Sequence, residues 1–214
     1  MIKRVFDVVS SLMAIITLSP LYLISGILIY ISDPGPIFYR AKRVGEDGKI
    51  FKMYKFRSMK IVKNMNENKF KADESRIFGW GRIIRKTKID ELPQLINVIK
   101  GDMSVIGPRP ASVDQIDIVR AGKYEEINKV KPGLSSPSAL FDYIYGDDIL
   151  DEELYKEKVL KKRLDLELYY IYNKSFRLDV KIILYTIISI VAISLGRRPL
   201  NILNELDAWS KMVQ

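Results

Sequence analysis

Residues 5–31 are almost wholly apolar, with Asp7 as their one charge and Ser19-Pro20 near the middle. A run of this length reads as a membrane segment. It is not a cleavable signal peptide, which would have a shorter apolar stretch ending at a small-residue cleavage site. Here the run continues past Ser19 and stops at Asp33-Pro34-Gly35-Pro36. Lys3 and Arg4 precede it, and Arg40, Lys42 and Arg43 follow it. Cationic flanks stay in the cytoplasm, so both ends want the same side. Pro20 has no backbone N–H and clashes with the preceding turn, which gives the helix a place to bend. Each arm, 5–19 and 20–31, is only ~18–22 Å long at the helical rise, short of a ~30 Å hydrocarbon core. A re-entrant helical hairpin over residues 1–36, kinked at Ser19 and Pro20, meets both conditions. A tilted single-pass helix with a proline kink is the alternative.

The whole chain of 214 residues fits one compact domain with an appendage or two. Residues 37–43 and 50–57 flank Glu46-Asp47-Gly48, a hairpin signal. Residues 64–75 are highly polar and read as a loop or exposed helix. Residues 82–99 carry Ile89, Leu92, Leu95, Ile96 and Ile99 at helical spacing, with Gly101 as a stop. A Gly- and Pro-punctuated loop over 102–110 precedes a helix over 111–130, which Lys131-Pro132-Gly133 breaks. A charged amphipathic helix follows over 151–172. The second apolar run, 182–195, is ~21 Å long, too short for a comfortable span, so it packs on the globular domain or lies at the interface. The expected fold is α/β, mostly α: a small membrane-associated globular domain over 37–178, with the re-entrant hairpin, a short β-hairpin and interfacial amphipathic helices. Residues 179–214 form a C-terminal apolar or interfacial helix and tail.

Lys and Arg outnumber Asp and Glu by 35 to 26, and the resulting charge of +9 draws the chain toward an anionic surface, nucleic acid or lipid head groups. Cys and His are absent, which excludes thiol nucleophiles, disulfides, imidazole bases and the usual zinc sites. Catalysis is left to carboxylates, Lys, Arg, Tyr or hydroxyls. Asp90 and Glu91 stand side by side before Pro93, at the expected start of a helix, with Asp90 as the N-cap. Free amides and the helix dipole there favour an ionised carboxylate and bind phosphate. An ionised Asp can attack phosphorus while a second carboxylate or a divalent ion manages protons and charge. Taken alone, the two acids also read as ordinary helix capping. Arg109 is pinned between Pro108 and Pro110, which suits bidentate phosphate binding or simply a structural turn. Lys55 and Arg57 share one strand face, where they meet a diphosphate or form a solvated edge.

Several motifs occur in order: Ser19-Pro20, Asp33-Pro34-Gly35-Pro36, Lys55-Phe56-Arg57-Ser58-Met59, Arg85-Lys86-Thr87 running into Asp90-Glu91-Leu92-Pro93-Gln94-Leu95, Asn97, Lys100-Gly101-Asp102-Met103-Ser104 and Gly107-Pro108-Arg109-Pro110. The series resembles the bacterial sugar transferases, the monotopic polyprenol-phosphate phosphoglycosyltransferases, in a short form. The resemblance implies an enzyme of the bacterial inner membrane, its hairpin in an anionic bilayer and its catalytic domain on the cytoplasmic face. It implies a UDP-sugar donor, a polyprenyl (undecaprenyl) phosphate acceptor and magnesium. Asp90 would attack the β-phosphate, release UMP and carry a phosphosugar. Glu91 would be its partner in magnesium binding or proton transfer, the two acids forming the metal site, and Arg109 would hold a phosphate. Nucleic acid is not an expected partner, because the cations are spread along the chain and much apolar surface is committed to membrane. Self-association into a homo-oligomer is left open. The rival from another class is a membrane-anchored basic scaffold or regulatory module, which explains charge and anchor but not the motif series. Two positions depart from the family pattern. Lys131-Pro132-Gly133 continues as Leu134-Ser135-Ser136-Pro137-Ser138-Ala139-Leu140-Phe141 rather than a Gln-Val-Asn-Gly stretch, and Phe78 replaces a common Thr. The resemblance therefore does not name the sugar.

Overall fold

The computed structural model describes residues 2–61, 73–145, 149 and 151–213. The polar stretch read as a loop or exposed helix lies outside them as far as residue 72, and its end enters a 3₁₀ turn at Glu74–Arg76. Two helices open the chain, α1 (Ile2–Thr17) and α2 (Ser19–Ser32), bent by 61° at the break between them. The break falls where the sequence placed it. Pro20 occupies the first turn of α2, and the Ser19 hydroxyl donates to the Ile16 carbonyl at 2.8 Å. Among the described residues no single helix is long and apolar enough to cross a membrane, while this bent pair passes that test of length and composition together.

The expected hairpin follows: β1 (Phe38–Val44) and β2 (Ile50–Phe56) pair antiparallel. Ala41 and Met53 are opposite one another and bury against Val98 and Met103, so strand alternation supplies one wall of the core. Next come α3 (Gly79–Lys86), a 3₁₀ turn at Ile89–Glu91, and α4 (Gln94–Lys100). The continuous helix expected over 82–99 is thus broken. Lys88 adopts φ 56° and ψ 16°, a left-handed conformation that ends α3, and Pro93 cannot donate a helical hydrogen bond, so regular helix resumes only beyond it.

Two very short strands, β3 (Ser104–Ile106) and β4 (Ala111–Ser112), follow. The sheet order β2-β1-β4 places Ala111 opposite Val44. That pairing corrects the helix expected over 111–130. Its start is committed to the sheet, and only α5 (Ile116–Val119) is α-helical. Gly122, at φ +59°, turns the chain into a 3₁₀ stretch at Gly122–Lys129. β5 (Gly133–Ser135) then pairs parallel with β3.

The C-terminal half is helical: α6 (Pro137–Ile144), then α7 (Glu152–Tyr155) running through a π-helical turn at Lys156–Leu160 into α8 (Lys161–Asn173). That run carries the charged amphipathic helix expected there. α9 (Phe176–Ser194) and α10 (Leu200–Lys211) close the fold. Leu140, Phe141, Leu166, Tyr170, Ile182 and Leu206 lie in the largest core cluster. The second apolar run lies on α9, which buries Ile182 and Ser189 and exposes Leu184, Ile187, Ile188 and Val191.

Both feet of the bent pair rest on the same globular body. Lys3 pairs with Asp179, and Arg4 donates to the Val98 and Ile99 carbonyls at 2.5 and 2.8 Å, satisfying the C-terminal end of α4. Asp7 is 4% exposed and accepts from the Ser104 hydroxyl at 2.8 Å and the Val105 amide at 3.1 Å. At the other foot Asp33 pairs with Arg57 at 3.2 Å, and Ile29 buries against Phe56, Phe78 and Ile84. Between the feet, Leu12, Met13, Ile16, Leu23, Ile24 and Ile27 face outward.

Candidate active site

Asp90 lies in the middle of the 3₁₀ turn, not at a helix N-cap as the sequence suggested. Lys88 holds the cap position of that turn, with no side-chain cap hydrogen bond. The reason is local. An N-cap at residue 90 would bond the amides of residues 92 or 93, but the Leu92 amide already donates to the Ile89 carbonyl at 3.2 Å and Pro93 has none. Asp90 is therefore buried, 5% exposed, with an Oδ1 atom that has no hydrogen-bond partner. Burial pushes its carboxyl above the ordinary aspartate range. Lys55 counteracts this, and the adjacent Glu91 charge adds to it.

Glu91 is driven the other way. Its Oε1 accepts from Lys55 Nζ at 2.9 Å. Burial raises its carboxyl, but the cations Lys55, Lys88 and Arg109 outweigh that and hold it well below the usual carboxylate range. Adjacent acids in one turn are thus split, one toward the neutral form and one firmly anionic, the pattern by which sites divide roles between carboxylates.

Lys55 reaches Glu91 because Asn97 locks β2 to α4. The fully buried Asn97 side chain accepts from the Tyr54 amide at 2.9 Å and donates to the Lys52 carbonyl at 2.8 Å and Asp102 Oδ2 at 3.0 Å. From the bent helix pair, the Tyr22 hydroxyl donates to the Leu92 carbonyl at 2.6 Å, tying α2 to the same turn.

Arg109 comes from the loop after β3. Gly107 and Gly133 cross so closely that a Cβ on either would collide with the other strand's backbone. The Gly107 amide donates to the Ser135 carbonyl at 3.1 Å, and the Gly133 amide to the Pro108 carbonyl at 2.8 Å. The Gly-Pro-Arg-Pro and Lys-Pro-Gly elements therefore form one joined structure. Arg109 Nη1 stands 3.9 Å from Asp142 Oδ2, its carbonyl accepts from Arg120 Nη2 at 3.0 Å, and its charge acts on Glu91.

Lys55 and Arg57, expected on one strand face toward a diphosphate, have different surroundings. β2 ends at Phe56, and Arg57 is buried, pairing with Asp33 through both its carboxylate and its carbonyl and lying over the Phe78 ring at 5.9 Å. It fastens the exit of the bent pair, and Phe78 is part of that fastening. Ser19 and Pro20 lie at the bend, while Asp90, Glu91, Lys55 and Arg109 come together. Sequence reasoning missed Lys88, Asp142 and Tyr143. Lys88 Nζ lies 4.2 Å from the centroid of the Tyr143 ring, whose hydroxyl donates to the Lys86 carbonyl at 2.5 Å. A left-handed lysine leaves no periodic signal, and Asp142 and Tyr143 lie on α6, beyond Lys131-Pro132-Gly133, where no element was expected. Among the described residues no group of three His, Cys, Asp or Glu side chains is placed to hold a metal.

Residues 1–193 match the family described as bacterial sugar transferase. The chain is 38% identical over 195 residues to a UDP-N-acetylgalactosamine-undecaprenyl-phosphate N-acetylgalactosaminephosphotransferase of Aeromonas hydrophila, covering 89% of this chain and 44% of the relative. It is 33% identical over 190 residues to a UDP-glucose:undecaprenyl-phosphate glucose-1-phosphate transferase of Escherichia coli (strain K12), covering 87% and 39%. It is 34% identical over 186 residues to the uncharacterized sugar transferase EpsL of Bacillus subtilis (strain 168), covering 87% and 85%. The chain spans about two fifths of the length of the first two of these relatives and most of the third. On the match across nearly its whole length, the chain belongs to the bacterial sugar transferase family.

Proposed function

We propose that this chain transfers a sugar 1-phosphate from a UDP-sugar to polyprenyl phosphate, giving a polyprenyl diphosphate-linked sugar and UMP, as the first membrane step of glycan assembly. The observation that carries the reading is the split carboxylate pair: a buried Asp90 with an unpartnered oxygen beside an ionised Glu91. Relatives named as UDP-sugar:undecaprenyl-phosphate transferases support the substrate classes.

In the first step an ionised Asp90 oxygen attacks the β-phosphorus of the donor. The bond from that phosphorus to the bridging oxygen breaks, and UMP leaves with the bridging oxygen. In the second step a phosphate oxygen of the lipid attacks the same phosphorus, and the Asp90 carboxylate leaves. A carboxylate with a raised pKa is the more basic nucleophile once ionised. Lys55 and Arg109 supply positive charge where the equatorial phosphoryl oxygens gather it. The unpartnered Asp90 oxygen and the neighbouring Glu91 carboxylate fit magnesium, which takes one or two carboxylates and completes its shell with water and substrate phosphates. When bound, the ion would neutralise diphosphate charge.

The two feet on one globular body support a re-entrant hairpin entering an anionic cytoplasmic leaflet, because a single-pass helix would carry one foot across the bilayer. Cysteines introduced at Lys3 and Lys42 are expected to label from the same side, and opposite-side labelling would sink the hairpin. The chemistry is tested by intact mass spectrometry after rapid mixing with magnesium, a UDP-sugar panel and no lipid acceptor. The expected adduct is a phosphosugar on Asp90, absent in Asp90→Asn, with UMP release reduced on the order of 10³-fold or more. An adduct mapping elsewhere defeats the mechanism. Lipid binding with neither adduct nor UMP leaves the scaffold reading.

A further inference from the structure

Asp142 and Tyr143 are neighbours on α6, both buried, and each faces a different cation of the site. Adjacent helical positions point about 100° apart, so one short helix can address two targets. Asp142 Oδ2 lies 3.9 Å from Arg109 Nη1, and the Tyr143 ring centroid lies 4.2 Å from Lys88 Nζ.

Each of the two side chains is itself fixed from behind. Tyr155 donates its hydroxyl proton to Asp142 Oδ1 at 2.6 Å and accepts from Arg163 Nη1 at 2.7 Å, and Arg163 Nη1 stands 4.0 Å from Asp142 Oδ2. The Tyr143 hydroxyl is anchored on the Lys86 carbonyl, two residues before Lys88. α6 also reaches the Arg109 main chain. Ser138 donates to the buried Glu167 at 3.1 Å, Glu167 pairs with Arg120 at 3.0 Å, and Arg120 holds the Arg109 carbonyl. The helix touches both cations that flank the carboxylate pair.

We propose that Asp142 and Tyr143 are positioning residues that aim Arg109 and Lys88 at the diphosphate of the donor. Asp142 directs the guanidinium fork, which must be oriented to bind phosphate in bidentate fashion. Tyr143 keeps the ammonium of a left-handed lysine over its ring, where the cation–π attraction fixes a side chain that would otherwise sample solvent. The inference rests on the proposed function for the identity of the ligand.

The test is calorimetric binding of UDP, with magnesium, to the full-length protein in detergent. Asp142→Asn is expected to weaken UDP about tenfold, the loss of roughly one charge-assisted contact, and to cost nothing further in an Arg109→Gln background. Tyr143→Leu is expected to weaken UDP about threefold or more, with Tyr143→Phe retaining most of the affinity. In a Lys88→Gln background neither should matter. A purely structural role would give additive losses, so additivity in both cycles, or Tyr143→Phe as damaging as Tyr143→Leu, overturns the proposal. The Tyr143 cycle leaves the Asp142 network intact and decides the matter if Asp142→Asn does not fold. UDP binding needs no transfer chemistry, so a wild type that binds UDP but releases no UMP defeats the proposed function alone. A wild type that does not bind UDP defeats both.

Discussion

Two buried aspartates mark two regions of this molecule that burial alone would not tell apart. At the foot of α1, Asp7 is 4% exposed and its two oxygens accept from Ser104 and Val105. In the turn before α4, Asp90 is 5% exposed and one of its oxygens accepts from nothing. A carboxylate taken out of water is tolerated when donors replace the water, and costs free energy when they do not. The first aspartate therefore contributes to stability, and the second, the proposed nucleophile, is held at the fold's expense. Exposure finds both buried charges, and only the count of donors tells these two aspartates apart.

The largest expected effect sharpens this contrast. Asp90→Asn should abolish transfer while leaving thermal stability unchanged or raised, measured by melting with magnesium chelated. The pH dependence follows from the upward shift at Asp90. A folded-state carboxyl held above its unfolded value favours folding at low pH and loses that advantage as pH rises through the folded value. Relative to Asp90→Asn, the wild type should lose stability from about pH 4 upward. A gap that moves the opposite way would break the comparison. Next in size, Asp7→Ala should lower stability by about 2–4 kcal/mol in denaturant unfolding, because Ser104 and Val105 lose their shared acceptor. An Asp7→Ala protein as stable as the parent would place the two aspartates in one class. The smallest effect belongs to Tyr22→Phe, which removes one hydroxyl bond to the Leu92 carbonyl and should cost about 1 kcal/mol. It should slow transfer more than it lowers the melting temperature if that bond steadies the reactive turn.

Much of this was legible in the sequence, for identifiable reasons. Ser19-Pro20 marked the bend because a proline's missing donor acts locally, and Asp47-Gly48 marked the hairpin because turn chemistry is also local. Asp90, Glu91 and Arg109 were candidates by residue type, and it was the resemblance carried by the motif series that gave them their expected roles. What failed depended on contacts between distant segments. The helix over 111–130 gave way because Ala111 pairs with Val44, and Arg57 was drawn away from the site by Asp33. Lys88 stayed invisible because no pattern of side chains announces a left-handed lysine. Asp7 stood out only as the one charge in an apolar run, and only the folded chain shows that Ser104 and Val105 are its partners.

The crossing of Gly107 and Gly133 has an evolutionary reading. Packed neighbours usually exchange volume, one shrinking as the other grows, and such trades leave correlated substitutions behind. Here neither position has a side chain to give up, and the obstruction to a Cβ on either is main chain. No second mutation can rescue the first by yielding space. Among members that keep this crossing the two positions should be fixed rather than correlated, so statistical searches for co-varying pairs will miss one of the closest approaches in the fold.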